Sequence, residues 1–211
     1  MTKSFTNRVI DFDFIGFDID GTIYDELSFV SQAYNDVALY LSNIYKIEQK
    51  ELYEQLISYW KQNGSSYPVF QDVMKNEHGI EIDANTIKGC IQLYRNCSFK
   101  IKPFPEVVNF IKRLYGKKRL FIVSDGNKDL QLNKFQSLGL NKWFDMKDVY
   151  ISGMFGKQYQ KPSIRVLEFL RNSIGNSTNV LFIGDRKVDE EFAANAGFSF
   201  IYAKELLNNG R

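Results

Sequence analysis

The sequence predicts an α/β protein in which a parallel β-sheet is covered by helices and interrupted by one all-helical insertion. Two observations carry this prediction. Short apolar runs rich in Phe, Ile and Val alternate with amphipathic helical segments, whereas one long stretch shows helical periodicity throughout and no convincing strand. The length of 211 residues allows a large core with a substantial insertion.

Four apolar runs are the predicted strands, and their continuity is typical of strands buried on both faces of a parallel sheet. They cover residues 12–17, 120–123, 180–183 and 198–202. Each helix predicted between them stops at a glycine, a common residue at helix C-termini. These helices cover residues 130–138, 164–174 and 192–196. The alternation predicts right-handed crossovers.

The helical insertion is predicted to span residues 25–102, between core segments at residues 1–24 and 103–211. Its first helix has an apolar face, formed by Val30, Ala33, Val37 and Leu41. Further helices are expected at residues 51–62, 69–78 and 85–96. The Lys-Pro-Phe-Pro segment at 102–105 marks the return to the core, because a residue before proline avoids the helical conformation.

The insertion is unusually rich in aromatic residues. We expect most of them to pack within it, because aromatic residues at helical spacing usually pack together; the alternative is a stacking wall for a nucleobase or sugar ring. The set is Tyr34, Tyr40, Tyr45, Tyr53, Tyr59, Trp60 and Tyr67. His78 precedes Gly79, so we expect it at a helix C-terminus rather than as a ligand.

Composition excludes several classes of partner. The 27 Lys and Arg nearly balance the 25 Asp and Glu, so a nucleic-acid surface is not expected. Cys90 and Cys97 form neither a disulfide framework nor a CxxC unit, which favours a reducing compartment. Residues 1–10 lack the apolar stretch of a signal peptide, and no apolar run approaches the ~20 residues that span a bilayer. We therefore expect a cytoplasmic protein without a membrane partner; its oligomeric state is open.

Polar residues follow three of the predicted strands. The segments are Asp18-Ile19-Asp20-Gly21-Thr22, Ser124-Asp125-Gly126-Asn127 and Gly184-Asp185 through Asp189. In an open α/β sheet the carboxyl ends of the strands form one rim, where ligands bind. The same Asp-x-Asp spacing occurs at 11–13, but it precedes the apolar run, so we interpret it as the exposed entry to the first strand.

Asp18, Asp20 and Asp185 would bring carboxylates together at this rim. Two like charges ~4 Å apart repel by about 4 kcal/mol at an effective dielectric near 20, so converging carboxylates must protonate, pair with cations or bind a metal. Mg²⁺ fits best, because it prefers oxygen ligands, and one His with two isolated Cys argues against zinc. Any one Asp alone is more simply a helix cap or turn residue.

Two further groups suit a phosphate. Ser124 offers a hydroxyl and Gly126 an unobstructed backbone N–H at a strand-to-helix turn. Lys161, followed by Pro162, could supply a compensating positive charge. Taken singly, Ser124 is more often a cap and Lys161 a surface lysine. Only their position relative to the carboxylates makes them site candidates.

In their order along the chain, these segments resemble the four motifs of the haloacid dehalogenase superfamily of phosphohydrolases, subclass I with a helical cap. The motifs are Asp18-Ile19-Asp20-Gly21-Thr22, Ser124, Lys161 with Pro162, and Gly184-Asp185 through Asp189. The resemblance covers nearly the whole chain outside the insertion. It implies a Rossmann-like core and a Mg²⁺-dependent phosphatase acting on a small phosphorylated metabolite.

The resemblance also implies roles for individual residues. Asp18 is the expected nucleophile that forms an aspartyl-phosphate, and Asp20 the general acid and base. The expected ligands of Mg²⁺ are the Asp18 carboxylate, the Asp20 main-chain carbonyl and Asp185. The expected phosphate-binding groups are the Ser124 hydroxyl, the N–H groups of Ile19 and Asp125, and the Lys161 ammonium. Asp189 is expected to orient Lys161 or a metal-bound water.

Two departures from the family pattern leave roles open. Asp125 stands where many relatives have Asn, and Arg186 and Lys187 follow Asp185 where small or polar residues are usual. Dehalogenation is not expected, since dehalogenating relatives lack the carboxylate of Asp20. Two alternative functions remain: a phosphomutase using the same intermediate, and a non-enzymatic relative that binds a ligand.

Overall fold

The structure is a computed structural model, and it describes residue 9 and residues 11–208. By its internal contacts the chain divides into two compact units. The first unit combines the described residues up to Glu26 with those from Ile101 onward, and the second unit is Leu27–Lys100. Within the described residues, no helix combines the length and the hydropathy needed to cross a bilayer.

The first unit contains a parallel sheet whose five strands are ordered β3-β2-β1-β4-β5. The strands are β1 (Phe14–Phe17), β2 (Arg119–Ser124), β3 (Val149–Ile151), β4 (Val180–Gly184) and β5 (Ser199–Tyr202). The central strand β1 pairs with β2 and β4, so that Phe17 lies opposite Ile122 on one side and Ile183 on the other. The predicted α/β fold with a Rossmann-like parallel sheet is confirmed.

The α-helices of the described chain occupy both units. They are α1 (Glu26–Tyr45), α2 (Gln49–Asn63), α3 (Val69–His78), α4 (Ala84–Asn96), α5 (Pro105–Leu114), α6 (Lys128–Ser137), α7 (Leu167–Ile174), α8 (Lys187–Ala196) and α9 (Ala203–Asn208). Helix α8 begins five residues before its predicted start. The prediction missed these residues because the first turn of the helix is polar and carries no apolar pattern. There the Asp189 carboxylate accepts a hydrogen bond from the Arg186 N–H at 3.0 Å and caps the helix.

Among the strands of the described residues, the edge strand β3 is the one that the sequence pattern did not reveal; helices α5 and α9 were not predicted either. It has three residues and lies between two short 3₁₀ turns, Met146–Asp148 and Ser152–Met154. A segment this short carries no detectable period. Its pairing with β2, with Val149 opposite Ile122, makes it a strand.

In the unit Leu27–Lys100, all of the regular secondary structure is helical. The predicted apolar face of α1 is buried in full. Among the aromatic residues, Tyr34 packs edge-on against Phe70 at 5.5 Å and lies 5.8 Å from Tyr94, between ring centroids. The other members of the predicted set are only half-buried. His78 ends α3 before the left-handed Gly79, as expected, and contacts Gln55 at 2.7 Å.

Candidate active site

The candidate site is built at the carboxyl ends of the central strands. Asp18 directly follows β1, and its backbone N–H still donates to the Ile183 carbonyl of β4 at 2.9 Å. The chain then turns, since the N–H groups of Thr22 and Ile23 both donate to the Ile19 carbonyl. The side chains of Asp18 and Ile19 are fully buried. Strand pairing therefore positions the backbone of the predicted nucleophile.

Lys161 joins two of the predicted carboxylates. Its Nζ donates to Asp18 Oδ1 at 2.8 Å and to Asp189 Oδ1 at 2.5 Å, and all three side chains are almost completely excluded from solvent. Buried charges are tolerated when they are paired in this way. The second oxygen of Asp18, Oδ2, is buried and has no hydrogen-bond partner among the described residues. One oxygen of Asp18 is thus held by the lysine and the other is not.

Asp185 reaches the same cluster by lying against Gly21. A Cβ atom on Gly21 would lie 2.2 Å from Asp185 Oδ2, and the φ of Gly21 is +70°, so the turn and the close approach both require glycine. Asp18, Asp185 and Asp189 each contribute a carboxylate oxygen to a group whose members lie within 4.8 Å of one another. Asp18 Oδ2 and Asp185 Oδ1 are buried without a hydrogen-bond donor in the described structure. This oxygen donor set fits a hard divalent cation.

Burial and crowded negative charge dominate the electrostatics of the cluster. Burial raises the pKa of Asp18 to about 7, although Lys161 opposes the shift. Burial also raises the pKa of Asp185 to about 6, against the effect of Arg186. For Lys161, burial acts to lower the pKa, but the charges of Asp18 and Asp189 outweigh it and hold that pKa above its ordinary value. One ammonium group cannot balance both carboxylates, so the lysine stays charged while Asp18 resists ionisation.

Ser124 and Gly126 differ in how well they match the prediction. Ser124 ends β2, and its buried Oγ has no hydrogen-bond partner in the described structure, as suits a hydroxyl that binds a ligand oxygen. The prediction of an unobstructed Gly126 N–H is wrong, because this group donates to Ser152 Oγ at 3.2 Å. Ser152 follows β3, the edge strand missing from the sequence-based prediction, and β3 lies beside β2.

Asp125 contacts the backbone of Lys161, the residue whose ammonium group binds Asp18 and Asp189. Its two carboxylate oxygens accept hydrogen bonds from the Lys161 N–H at 3.2 and 3.1 Å. Burial raises the pKa of Asp125, and the charge of Lys161 acts in the opposite direction. The residue that departs from the family pattern therefore anchors the segment carrying Lys161.

The Asp20 carboxylate has a different set of partners from Asp18. Its Oδ1 accepts hydrogen bonds from the Tyr24 hydroxyl and, at 2.7 Å, from Lys134 Nζ. Its Oδ2 accepts one from Gln131 Nε2 at 2.6 Å. Burial acts to raise the pKa of Asp20, but the charge of Lys134 and these hydrogen bonds outweigh it and hold the pKa below its ordinary value. With its side chain so engaged, Asp20 has its main-chain carbonyl to offer a metal, which is the role that the resemblance implies.

Sequence reasoning missed the residues that hold Asp20. One face of α6 and its C-terminal cap carries four buried side chains at helical spacing. They are Gln131 at position i, Lys134 at i+3, Phe135 at i+4 and Leu138 at i+7. Polar residues in an apolar stripe are a signal of buried partners. The partner could not be named, because Asp20 is 114 residues away from Lys134 in the chain.

Arg186 and Lys187 separate into a site residue and a surface residue. Lys187 is exposed and donates to Glu190 at 2.7 Å. Arg186 places Nε 3.8 Å from Asp185 Oδ1. Burial acts to lower the pKa of Arg186, but the charges of Asp18 and Asp189 outweigh it and keep that pKa above its ordinary value. A second cation therefore borders the carboxylate cluster.

A family comparison agrees with this geometry. The model of the haloacid dehalogenase-like hydrolases matches residues 12–197, a range that includes every segment contributing to the site. The chain belongs to the haloacid dehalogenase-like hydrolase family. As a member of this family it is a hydrolase.

The individual relatives of this haloacid dehalogenase-like hydrolase described next share low sequence identity with it. It is 25% identical over 175 residues to a glyceraldehyde 3-phosphate phosphatase of Methanopyrus kandleri, and the match covers 81% of this chain and 74% of the relative. A subfamily IA, variant 1 hydrolase of the superfamily from Geobacter sulfurreducens has a similar structure, with a TM-score of 0.64, 13% identity and coverage of 91% and 87% of the two chains.

A second solved structure is a putative hydrolase of the same superfamily from Bacillus subtilis, bound to magnesium. Its TM-score is 0.63 at 22% identity, with coverage of 90% of this chain and 86% of the other. At these identities the two structural matches establish a shared fold. They agree with the parallel sheet and its helices as described for this haloacid dehalogenase-like hydrolase.

Proposed function

We propose that this hydrolase is a Mg²⁺-dependent phosphatase that cleaves a small phosphorylated metabolite. The observation that carries the proposal is the environment of Asp18, whose Oδ1 is bound by Lys161 while its buried Oδ2 has no protein donor in the described structure. A carboxylate held in this way is suited to act as a nucleophile. The name of the Methanopyrus kandleri relative supports a phosphate ester as the substrate class.

Asp18 and Asp185 would hold the cation together with the main-chain carbonyl of Asp20. The support is their buried oxygens without protein donors and their membership of one close carboxylate group. Bound there, Mg²⁺ would offset the repulsion between the Asp18 carboxylate and an anionic phosphate. The magnesium in the Bacillus subtilis hydrolase is consistent with this choice of cation.

The reaction would proceed in two displacements. An Asp18 oxygen attacks phosphorus and forms an aspartyl-phosphate, while the bond from phosphorus to the leaving oxygen breaks. Because its pKa lies below the ordinary value, Asp20 must take up a proton before this step, and it then gives that proton to the leaving oxygen. Asp20 then takes a proton from a water molecule, which attacks phosphorus and breaks its bond to the Asp18 oxygen. Inorganic phosphate is released and both carboxyl groups return to their starting states.

The remaining site residues would hold the transferring phosphoryl group. The Ser124 hydroxyl, the N–H groups of Ile19 and Asp125, and the Lys161 ammonium are the proposed donors to its oxygens. Asp189 orients Lys161 through the hydrogen bond at Nζ. The helical unit Leu27–Lys100 is proposed to be the cap domain of the family, with a role in substrate selection.

The Asp18→Asn variant tests the nucleophile. Purified protein with Mg²⁺ is assayed for phosphate release on a panel of phosphorylated metabolites that includes glyceraldehyde 3-phosphate, and the variant is expected to fall to the uncatalysed rate. Asp13→Asn is the matched control, because Asp13 is exposed at the other end of β1, where it accepts a hydrogen bond from Asn179. Wild-type activity in Asp18→Asn would rule out the proposed mechanism.

The alternative functions are separated by the products. A phosphomutase would convert a sugar phosphate to its isomer with little free phosphate, which chromatography of the sugar phosphates detects. A non-enzymatic relative would produce neither product from any member of the panel. Free phosphate released in proportion to substrate consumed is the result that the phosphatase proposal requires.

A further inference from the structure

A second buried lysine lies at the strand ends, and the proposed chemistry does not use it. Lys134 on α6 has only 2% of its side chain exposed, and its Nζ lies 2.7 Å from Asp20 Oδ1. Removing an ammonium group from water is costly unless the charge is paired. Lys134 is therefore paired with the carboxylate of the proposed general acid and base.

Gln131 holds the other side of the same carboxylate. It lies one helical turn before Lys134, and its Nε2 donates to Asp20 Oδ2 at 2.6 Å and to the Asp125 carbonyl at 2.9 Å. Residues three apart on a helix lie on one face, so α6 presents both donors together. The Tyr24 hydroxyl also donates to Oδ1. Both oxygens of Asp20 are thus held by protein donors, two of which belong to a single rigid helix.

We infer that Lys134, assisted by Gln131, is the positioning residue for the Asp20 carboxylate, an inference that rests on the proposed phosphatase function. A general acid or base must stay within hydrogen-bonding reach of the proton that it transfers. Rotation of the Asp20 side chain would move its carboxylate out of hydrogen-bonding distance of that proton, and a misplacement of about 1 Å can lower the rate by about 10²-fold. The donors on α6 hold the carboxylate in one place through both displacements.

A positioning role predicts a dependence on the leaving group that a purely structural role does not. Phenyl phosphate needs a proton delivered to its leaving oxygen, whereas 2,4-dinitrophenyl phosphate releases a stable anion without one. Loss of the positioning residue should therefore slow phenyl phosphate far more than the dinitrophenyl ester. A general loss of structure would slow both equally.

The test compares kcat and KM of Lys134→Met and wild type on the two esters. We expect kcat/KM for phenyl phosphate, which reports the first displacement alone, to fall by about 10- to 100-fold, up to the lower end of general acid–base contributions. We expect kcat/KM for the dinitrophenyl ester to stay within about 3-fold. Lys134→Arg should recover part of the loss, because it keeps a charged donor. Lys142→Met, an exposed lysine of the same unit, should match wild type on both esters.

A second comparison keeps the inference testable if Lys134→Met fails to fold, because that variant leaves Asp20 buried without its cation. The double variant Asp20→Asn/Lys134→Met removes both buried charges together, and it is compared with Asp20→Asn, which removes the carboxylate alone. If Lys134 acts only through Asp20, the two variants should share the same kcat on each ester. A further loss in the double variant, or an equal loss of kcat/KM on both esters in Lys134→Met, would overturn the inference. Failure of wild type to release phosphate from either ester and from every member of the metabolite panel would instead overturn the proposed function itself, and the inference with it.

Discussion

At the scale of single residues, Asp125 shows how a departure from the family pattern acquires a role from its neighbours. A carboxylate beside a phosphate site would repel the substrate if it faced that site. In the structure both oxygens are engaged by the Lys161 N–H instead. The same contact fixes the backbone of the residue whose ammonium binds Asp18 and Asp189.

We expect Asp125→Ala to lower kcat on 4-nitrophenyl phosphate by about 10- to 100-fold, because loss of the anchor lets Lys161 shift relative to Asp18. Asp125→Asn keeps an oxygen acceptor for the Lys161 N–H and should retain most of the activity. Steady-state kinetics on the two variants makes the comparison. Equal activity of Asp125→Ala and wild type would show that the anchor does not matter for turnover.

At the scale of elements, the central strand β1 depends on a glycine for its packing. A Cβ atom on Gly16 would lie 2.4 Å from the Phe121 ring and 2.7 Å from the Phe182 ring. Phe121 lies on β2 and Phe182 on β4, and their rings are 6.4 Å apart between centroids. The two rings therefore occupy the space next to β1 that any larger side chain would need, close to the strand end that carries Asp18.

Gly16→Ala should destabilise the α/β unit by about 1–3 kcal/mol, the usual cost of overpacking a core. Urea denaturation followed by circular dichroism measures the change in the free energy of unfolding. Ser199→Ala, at an exposed position of β5, is the control and should leave that free energy almost unchanged. An unchanged midpoint for Gly16→Ala would mean that the two rings can move apart at no cost.

At the scale of the whole molecule, a formal net charge of +2 conceals a strong local arrangement of charge. Lys161 is buried with two carboxylates, and Lys134 is buried with Asp20. Asp185 adds a further carboxylate oxygen to the first group. The total charge argues against a polyanion-binding surface, but it says nothing about a site whose charges cancel only in part and locally.

Without divalent cations, we expect the thermal stability of the α/β unit to fall as the pH rises from about 4 to about 7. The pKa values of Asp18 and Asp185 in the folded protein are about 7 and about 6, above their ordinary value of 3.8, because of burial. The folded state therefore binds more protons than the unfolded state across this window, and stability decreases with pH.

Calorimetry in the presence of a chelator, across the same pH window, measures this dependence. Excess Mg²⁺ should raise Tm most at the upper end, where the carboxylates of the folded protein must ionise. Asp18→Asn should flatten the dependence, and Asp13→Asn should not. A pH dependence unchanged in Asp18→Asn would show that this carboxyl does not carry the effect.

Sequence alone is sufficient for the α/β class and for four of the strands, and it predicts that Asp18, Asp20, Asp185 and Asp189 gather near Lys161. Strands and helices leave local periodic signals, and the ends of parallel strands meet at one edge of a sheet, so residues distant in the chain can be placed together. The structure brings Asp18, Lys161, Asp185 and Asp189 into one cluster, in which Asp185 is half-buried and the other three are buried. The prediction that the Asp20 carboxylate joins them is wrong, because it lies against Lys134 and Gln131 instead.

The tertiary structure was needed to assign the partner of each polar group. Lys134 lies 114 residues from Asp20, and Lys161 lies 36 residues from Asp125, so no local spacing pairs them. The short strand β3 likewise exists only through its pairing with β2, and it brings Ser152 to the Gly126 N–H. Periodicity reports which face of an element is buried, whereas packing between elements decides which donor meets which acceptor on that face.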